Sequence, residues 1–410
     1  MRIVACLILS SRLVLAAPDI DPVKAGMDTA RLKRMTERIK AFSDQGTVAG
    51  TVVLVARHGT IAAFEASGWQ DIEARKPMRP DSIFQVMSMT KPVTAVAIQM
   101  LVEDGKVRVG DPVEKYLPEF RGQWMVESKT GTSMVLKRPT RAVTVRDLLT
   151  HTSCMVGPGP ALAQLYQKMD RPLGEAVAVF AQLPLDCEPG SRWLYSNTGI
   201  ATLGRIVEVA GDQPFEAFVA SRIFEPLGMK DSFFFPDRAT PGQRERIAAV
   251  YRSEKGALLK AGDDILGGNA LAHRKGARYS APEFGLYSTA ADLLRFYDLM
   301  RAGGVHGGKR LLSRASVELM TSLHTGDLPK AGWWEGNPGF GLGWEVVRDA
   351  AGGLSLLSPG TFHHGGAFGT HGWIDPRKDL VGVFLVQQAD GRADEVKKAF
   401  MAMAVAAITD

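Results

Sequence analysis

The sequence predicts a mixed α/β fold in which one α/β domain is assembled from both ends of the chain, with a mainly helical domain inserted between them. Three observations carry this. Residues 29–44 repeat apolar side chains at helical steps and are followed by two β-rich runs, Val48 to Val55 and Ile61 to Phe64. From about residue 85 to 230 the texture is helical, broken often by proline and glycine. Near the end, strand-like runs return and a final amphipathic helix closes the chain. The expected boundaries are a leader at 1–17, an α/β domain from 18–85 and 285–410, and a helical domain over 86–284. A cleft between the two is the default place for a site.

Each element has its own justification. Leu32, Met35, Ile39 and Phe42 fall three or four residues apart and line one face of a helix. His58-Gly59 between two β-rich runs signals a hairpin. Val96, Met100 and Leu101 belong to a second helix, and Leu203, Ile206, Val207 and Ala210 to a third beginning near Thr198. Leu293, Leu294, Phe296, Tyr297 and Met300 mark another over Ala291 to Met300. Gly372 to Asp375 and the apolar run Val381 to Val386 read as paired strands. Val396, Phe400, Met403, Ala404, Ala407 and Ile408 then share one helical face.

Composition excludes several classes. Hydrophobic residues make up 45% and charged residues 23% of the 410, so the chain is globular rather than disordered. The net charge of +5 is a small difference between 49 basic and 44 acidic residues with no long Lys/Arg run, so no nucleic-acid partner is expected. No segment reaches the roughly 18 uninterrupted apolar residues a membrane span needs. Arg2, the run Ile3 to Leu9 and the small residues before Pro18 have the plan of a secretory signal peptide, with Arg12 as a defect, and imply a periplasmic or secreted protein. Cys6 would leave with that leader, and the expectation for Cys154 and Cys187 is two buried free thiols. There is no CxxC or HExxH, and the histidines at 363, 364 and 371 lack spaced acidic or thiol partners, so neither a metal nor another cofactor is expected.

Three short motifs carry chemistry. Ser88-Met89-Thr90-Lys91 is the one Ser-x-x-Lys, and Pro92 fixes the helix start within a residue or two of the serine. Three residues are nearly one turn, so the amine can hang beside the hydroxyl and take its proton if burial lowers its pKa. By itself the serine is equally a helix cap. Tyr195-Ser196-Asn197 offers a phenol that can relay a proton and an amide that can orient lysine or substrate, although Asn197 as a plain N-cap explains it as well. In His363-His364-Gly365-Gly366-Ala367 the glycines let backbone approach a ligand, and an exposed N–H there can serve an oxyanion; a plain β turn is the alternative.

In order, these motifs resemble those of the serine β-lactamase and penicillin-binding-protein superfamily, most closely class C β-lactamases and family VIII carboxylesterases. Asp111 to Pro118, Thr144 to Ser153, Leu286 to Leu293 and Gly341 to Trp344 are similar to that group too, so the resemblance spans roughly residues 30 to 405. It implies a β-lactamase-like fold, an antiparallel sheet flanked by helices with an inserted helical domain. It implies Ser88 as nucleophile, Lys91 and Tyr195 sharing the base role, the N–H groups of Ser88 and Ala367 as oxyanion hole, and Asn197, His364, Gly365 and Gly366 around the substrate. Tyr195 is the expected activator of the deacylating water. Where β-lactamases have Lys-Thr-Gly this chain has His364-Gly365-Gly366, the esterase form, which favours a neutral short-chain ester. Lys129-Thr130-Gly131 precedes the tyrosine motif and reads as an exposed loop. The alternatives are a β-lactamase or D-alanyl-D-alanine peptidase on the same serine, or a non-catalytic penicillin-binding sensor. A Ser-His-Asp triad lacks its Gly-x-Ser-x-Gly elbow, and His151 reads as structural. Cys154 stands where relatives have glycine. The stretch from Trp333-Trp334 to Trp344 is expected either to border the acyl pocket or to form a surface loop.

Overall fold

The computed structural model describes residues 19–157, 169–262, 265–268, 274–331, 339–349 and 355–410. The leader and Trp333-Trp334 lie outside them. Helix α1 (Thr29–Asp44) starts where the Asp28 carboxylate accepts the Arg31 N–H, and it buries Leu32, Met35, Ile39 and Phe42. Strands β1 (Gly50–Arg57) and β2 (Thr60–Asp71) join through His58 and Gly59, both at positive φ, as a tight hairpin turn requires. A short edge strand β3 (Lys76–Pro77) follows.

The rest of the sheet comes from the far end of the chain: β4 (Gly339–Phe340), β5 (Glu345–Val346), β6 (Phe362–Gly365), β7 (His371–Asp375) and β8 (Leu380–Val386). The order is β4-β5-β6-β7-β8-β1-β2-β3, antiparallel throughout, and β8 pairs with β1 from Thr51↔Val386 to Arg57↔Leu380. Every residue of β1 and β8 is buried because both faces of the sheet are covered, which is why these strands read as continuous apolar runs. The C-terminal helix, Ala393–Ala406, packs with α1 on one face, where Val396 and Phe400 meet Trp373 and Phe384. On the other face lie Ala290–Arg301 and the larger core.

That larger core holds helix α2 (Lys91–Glu103), buried without interruption from Lys91 to Leu101, and α3 (Asn197–Gly211) beside it. A helix enclosed on all sides has a low amphipathic contrast, and its sequence is apolar nearly all round. The intervening region is not purely helical: hairpins Met125–Thr130/Ser133–Lys137 and Tyr251–Glu254/Ala257–Lys260 project from it. Lys129-Thr130-Gly131 forms the exposed tip of the first. Trp344 is no surface residue; it is fully buried, edge-on to Phe362 at 5.1 Å between centroids. No helix of the described residues is long and apolar enough to cross a membrane.

The cysteines correct an expectation. Cys154 and Cys187 are joined by a disulfide, Cα–Cα 5.3 Å, rather than held as two free thiols. Separation along the chain said nothing of the contact, which arises because the Asp186 N–H donates to the Cys154 carbonyl at 2.9 Å and zips the two segments together. Cys154 sits at φ +58, a left-handed conformation that glycine adopts freely. Across a separation of 33 residues, loop-closure entropy puts the cross-link at about 4 kcal/mol. Urea unfolding of the oxidised protein and of Cys187→Ala should differ by about that much, and a difference below about 1 kcal/mol would overturn the assignment.

Candidate active site

The serine is presented by a strained turn. Strand Phe84–Gln85 pairs with Tyr287–Ser288, the Val86 N–H donates to the Leu286 carbonyl at 2.9 Å, and Met87 then turns at φ +53. A left-handed methionine is uncommon and persists where its surroundings fix it. Here the Thr90 hydroxyl does so, donating to the Met87 carbonyl at 2.6 Å and accepting the Leu286 N–H at 3.1 Å. Ser88 lies in the 3-10 turn Met87–Thr90 that leads into α2, with Pro92 in its first turn as predicted.

Lys91 is completely buried. Its Nζ donates to Ser88 Oγ at 2.9 Å and to the Glu283 carbonyl at 2.7 Å. Burial brings the amine down to about 7, with the charges of Glu283 and Glu345 acting the other way. The lysine is thus a base poised near neutrality. Its Nζ also lies 4.8 Å from the Tyr195 ring centroid. The phenol is half-buried, and desolvation raises its pKa above the ordinary tyrosine value while a hydrogen bond with Ser88 works against that rise. Ser88 and Lys91, one turn apart, therefore converge with Tyr195 from a distant part of the chain.

The strand motif arrives from the sheet. His364 on β6 is buried; its Nδ1–H donates to the Gly365 carbonyl at 2.8 Å, and Nε2 has no partner among the described residues. Burial, then the Lys91 charge, pushes its pKa down to about 3, so it is neutral at physiological pH. Gly366 is obligatory: a Cβ there would stand 2.2 Å from Thr370 Oγ1 and 2.3 Å from the Val86 carbonyl oxygen. Thr370 Oγ1 donates to that same carbonyl at 3.0 Å. This close approach holds the turn bearing Ala367 against the residues leading to Ser88. Ala367 is exposed, and its N–H has no backbone acceptor among the described residues.

Asn197 is not the N-cap that its plain reading makes it. The cap of α3 is Ser196, whose hydroxyl accepts the Gly199 N–H at 3.0 Å, and Asn197 is the first helical residue, exposed. Among the described residues it makes no hydrogen bond to Lys91.

Two contributors were missed. Glu283 gives Lys91 a backbone carbonyl, which leaves no side-chain signature, and a carboxyl charge that favours the ammonium form. Glu345 is a buried carboxyl, raised by burial to about 8, with its Oε2 3.9 Å from His363 Nδ1 across the β5–β6 pair. It directly follows the Gly341 to Trp344 motif, which was the available signal. No group of three His, Cys, Asp or Glu residues able to hold a metal occurs among the described residues. A pocket of about 480 Å³ near Asp237, Arg244 and Arg274 contains none of the site residues and lies apart from this chemistry.

The sheet, the buried Ser-x-x-Lys helix and the converging tyrosine are those of a β-lactamase-like serine hydrolase. The chain belongs to the Beta-lactamase family, whose model matches residues 35–407. Among its relatives, Esterase EstB of Burkholderia gladioli is 30% identical over 399 residues, covering 91% of this chain and 94% of that protein. A putative D-alanyl-D-alanine carboxypeptidase of Escherichia coli K12 is 26% identical, covering 89% and 84%. The solved structure of EstCE1, a hydrolase with promiscuous acyltransferase activity, superposes with a TM-score of 0.77 at 23% identity, covering 93% of this chain and 99% of that one. The protein is a serine hydrolase of the β-lactamase and penicillin-binding-protein superfamily, close to its esterase branch.

Proposed function

We propose that this chain is an exported carboxylesterase hydrolysing short-chain neutral esters through an acyl-enzyme on Ser88. The observation that carries the chemistry is the buried Lys91 amine, near pKa 7 and 2.9 Å from Ser88 Oγ. As Ser88 Oγ attacks the ester carbonyl, its proton passes to Lys91 Nζ, and the N–H groups of Ser88 and Ala367 receive the oxyanion. Collapse breaks the bond to the alcohol, whose alkoxide takes a proton from the Tyr195 phenol, and Lys91 returns one to Tyr195. Water then attacks the acyl-enzyme, again giving its proton to Lys91; collapse breaks the bond between Ser88 Oγ and the acyl carbon, Lys91 returns the proton to Ser88 Oγ, and the acid leaves. A raised phenol pKa favours Tyr195 as donor over the water-activating role the sequence suggested. Asn197, His364, Gly365 and Gly366 line the substrate side.

The ester preference rests on His364. At the place of the Lys-Thr-Gly lysine stands a neutral imidazole, so the carboxylate of a β-lactam meets no fixed cation there. Export is supported by the disulfide, which oxidising compartments maintain. Parallel stopped-flow traces with p-nitrophenyl butyrate and a chromogenic cephalosporin test the reading. Steady ester turnover with little ring opening is expected. Faster cephalosporin than ester turnover would replace it with a β-lactamase.

A further inference from the structure

We infer that His151 is a positioning residue that holds Tyr195 in its working orientation by gripping the chain on both sides of it. The inference rests on the proposed proton transfer by Tyr195. Three contacts converge from this one residue. Its carbonyl accepts the Leu194 N–H at 2.8 Å, and its ring Nδ1 accepts the Ser196 N–H at 3.0 Å, so the residues before and after the tyrosine are both fastened to it. Its ring lies 4.4 Å from the Tyr195 ring, centroid to centroid, inclined at 31°. Phe340 packs edge-on to the same imidazole, with ring centroids 4.8 Å apart.

The residue type follows from these demands. An Nδ1 that accepts an N–H is unprotonated, so the neutral ring carries its proton on Nε2. Burial and the neighbouring Lys91 and His364 keep it neutral, and a protonated ring would lose the acceptor that Ser196 needs. Phenylalanine would keep the stack but leave the buried Ser196 N–H without its acceptor. Asparagine would keep an acceptor and tolerate the φ of +56 found here, but give up the ring. The disulfide anchors the same turn three residues on, and Gly190 N–H to the Thr152 carbonyl at 2.8 Å adds a further tie.

The test uses His151→Phe, His151→Asn and Tyr195→Phe, alone and combined, with p-nitrophenyl butyrate. His151→Phe should lower kcat by about a hundredfold with KM within about threefold, while His151→Asn recovers part of the loss. Because the histidine acts through the tyrosine, either His151 variant combined with Tyr195→Phe should be no slower than Tyr195→Phe alone. If His151→Phe does not fold, the His151→Asn cycle decides alone. Losses that multiply in the double variant, or that appear only in KM, would overturn the inference. Tyr195→Phe with near wild-type kcat would instead refute the tyrosine's role in proton transfer, whatever the His151 variants do.

Discussion

Ser88→Ala should lower hydrolysis of p-nitrophenyl butyrate by at least about four orders of magnitude, to the level of binding and oxyanion stabilisation alone. The size follows from the position of this hydroxyl. It is the acceptor of the Lys91 amine at 2.9 Å, and alanine removes both the nucleophile and the proton the lysine would take. Stability should barely change, by about 1 kcal/mol, because Lys91 retains the Glu283 carbonyl at 2.7 Å and the turn is held by Thr90. Turnover together with a thermal melt separates the two effects. Activity within about tenfold of wild type, in a folded variant, would remove Ser88 from the mechanism.

The part of this site that could be read from sequence is the part built from local geometry. Ser88 and Lys91 are one turn apart on a helix whose start Pro92 fixes, so their contact follows from helix pitch. The fold was legible for a similar reason. The face Leu32, Met35, Ile39, Phe42 and the runs Val48 to Val55 and Val381 to Val386 state what each element buries, although nothing in them states that the first and last strands are neighbours. What could not be read is made by backbone brought from afar. The Glu283 carbonyl that holds Lys91 belongs to a residue 192 positions on and would be the same for any side chain. Cys154 and Cys187 meet only because loop hydrogen bonds zip their segments, and the His151 ring reaches Tyr195 from 44 positions away by the same means.

The lysine's burial gives a second large effect with a definite sign. Lys91 works as a base only when neutral, so kcat/KM should rise with pH through about 7 and fall about tenfold for each pH unit below it. An exposed lysine would place that limb near 10. Glu283→Gln removes the foremost charge that favours the ammonium form, and it should move the limb to lower pH. Lys91→Met keeps the stem in its buried channel but has no amine, and should lower kcat/KM by about a thousandfold on the plateau above pH 7, with no limb near 7, so that the gap to the wild type narrows as the pH falls. Arginine offers no rescue, since guanidinium stays charged and cannot accept the serine proton. The measurement is kcat/KM from pH 5 to 9 for the wild type and the three variants. A flat wild-type profile, or one whose limb survives in Lys91→Met, would assign the base to another group. A limb lost with Lys91 and displaced with Glu283 would tie the proton to one buried amine, whose basicity is set by the depth at which α2 enters the core.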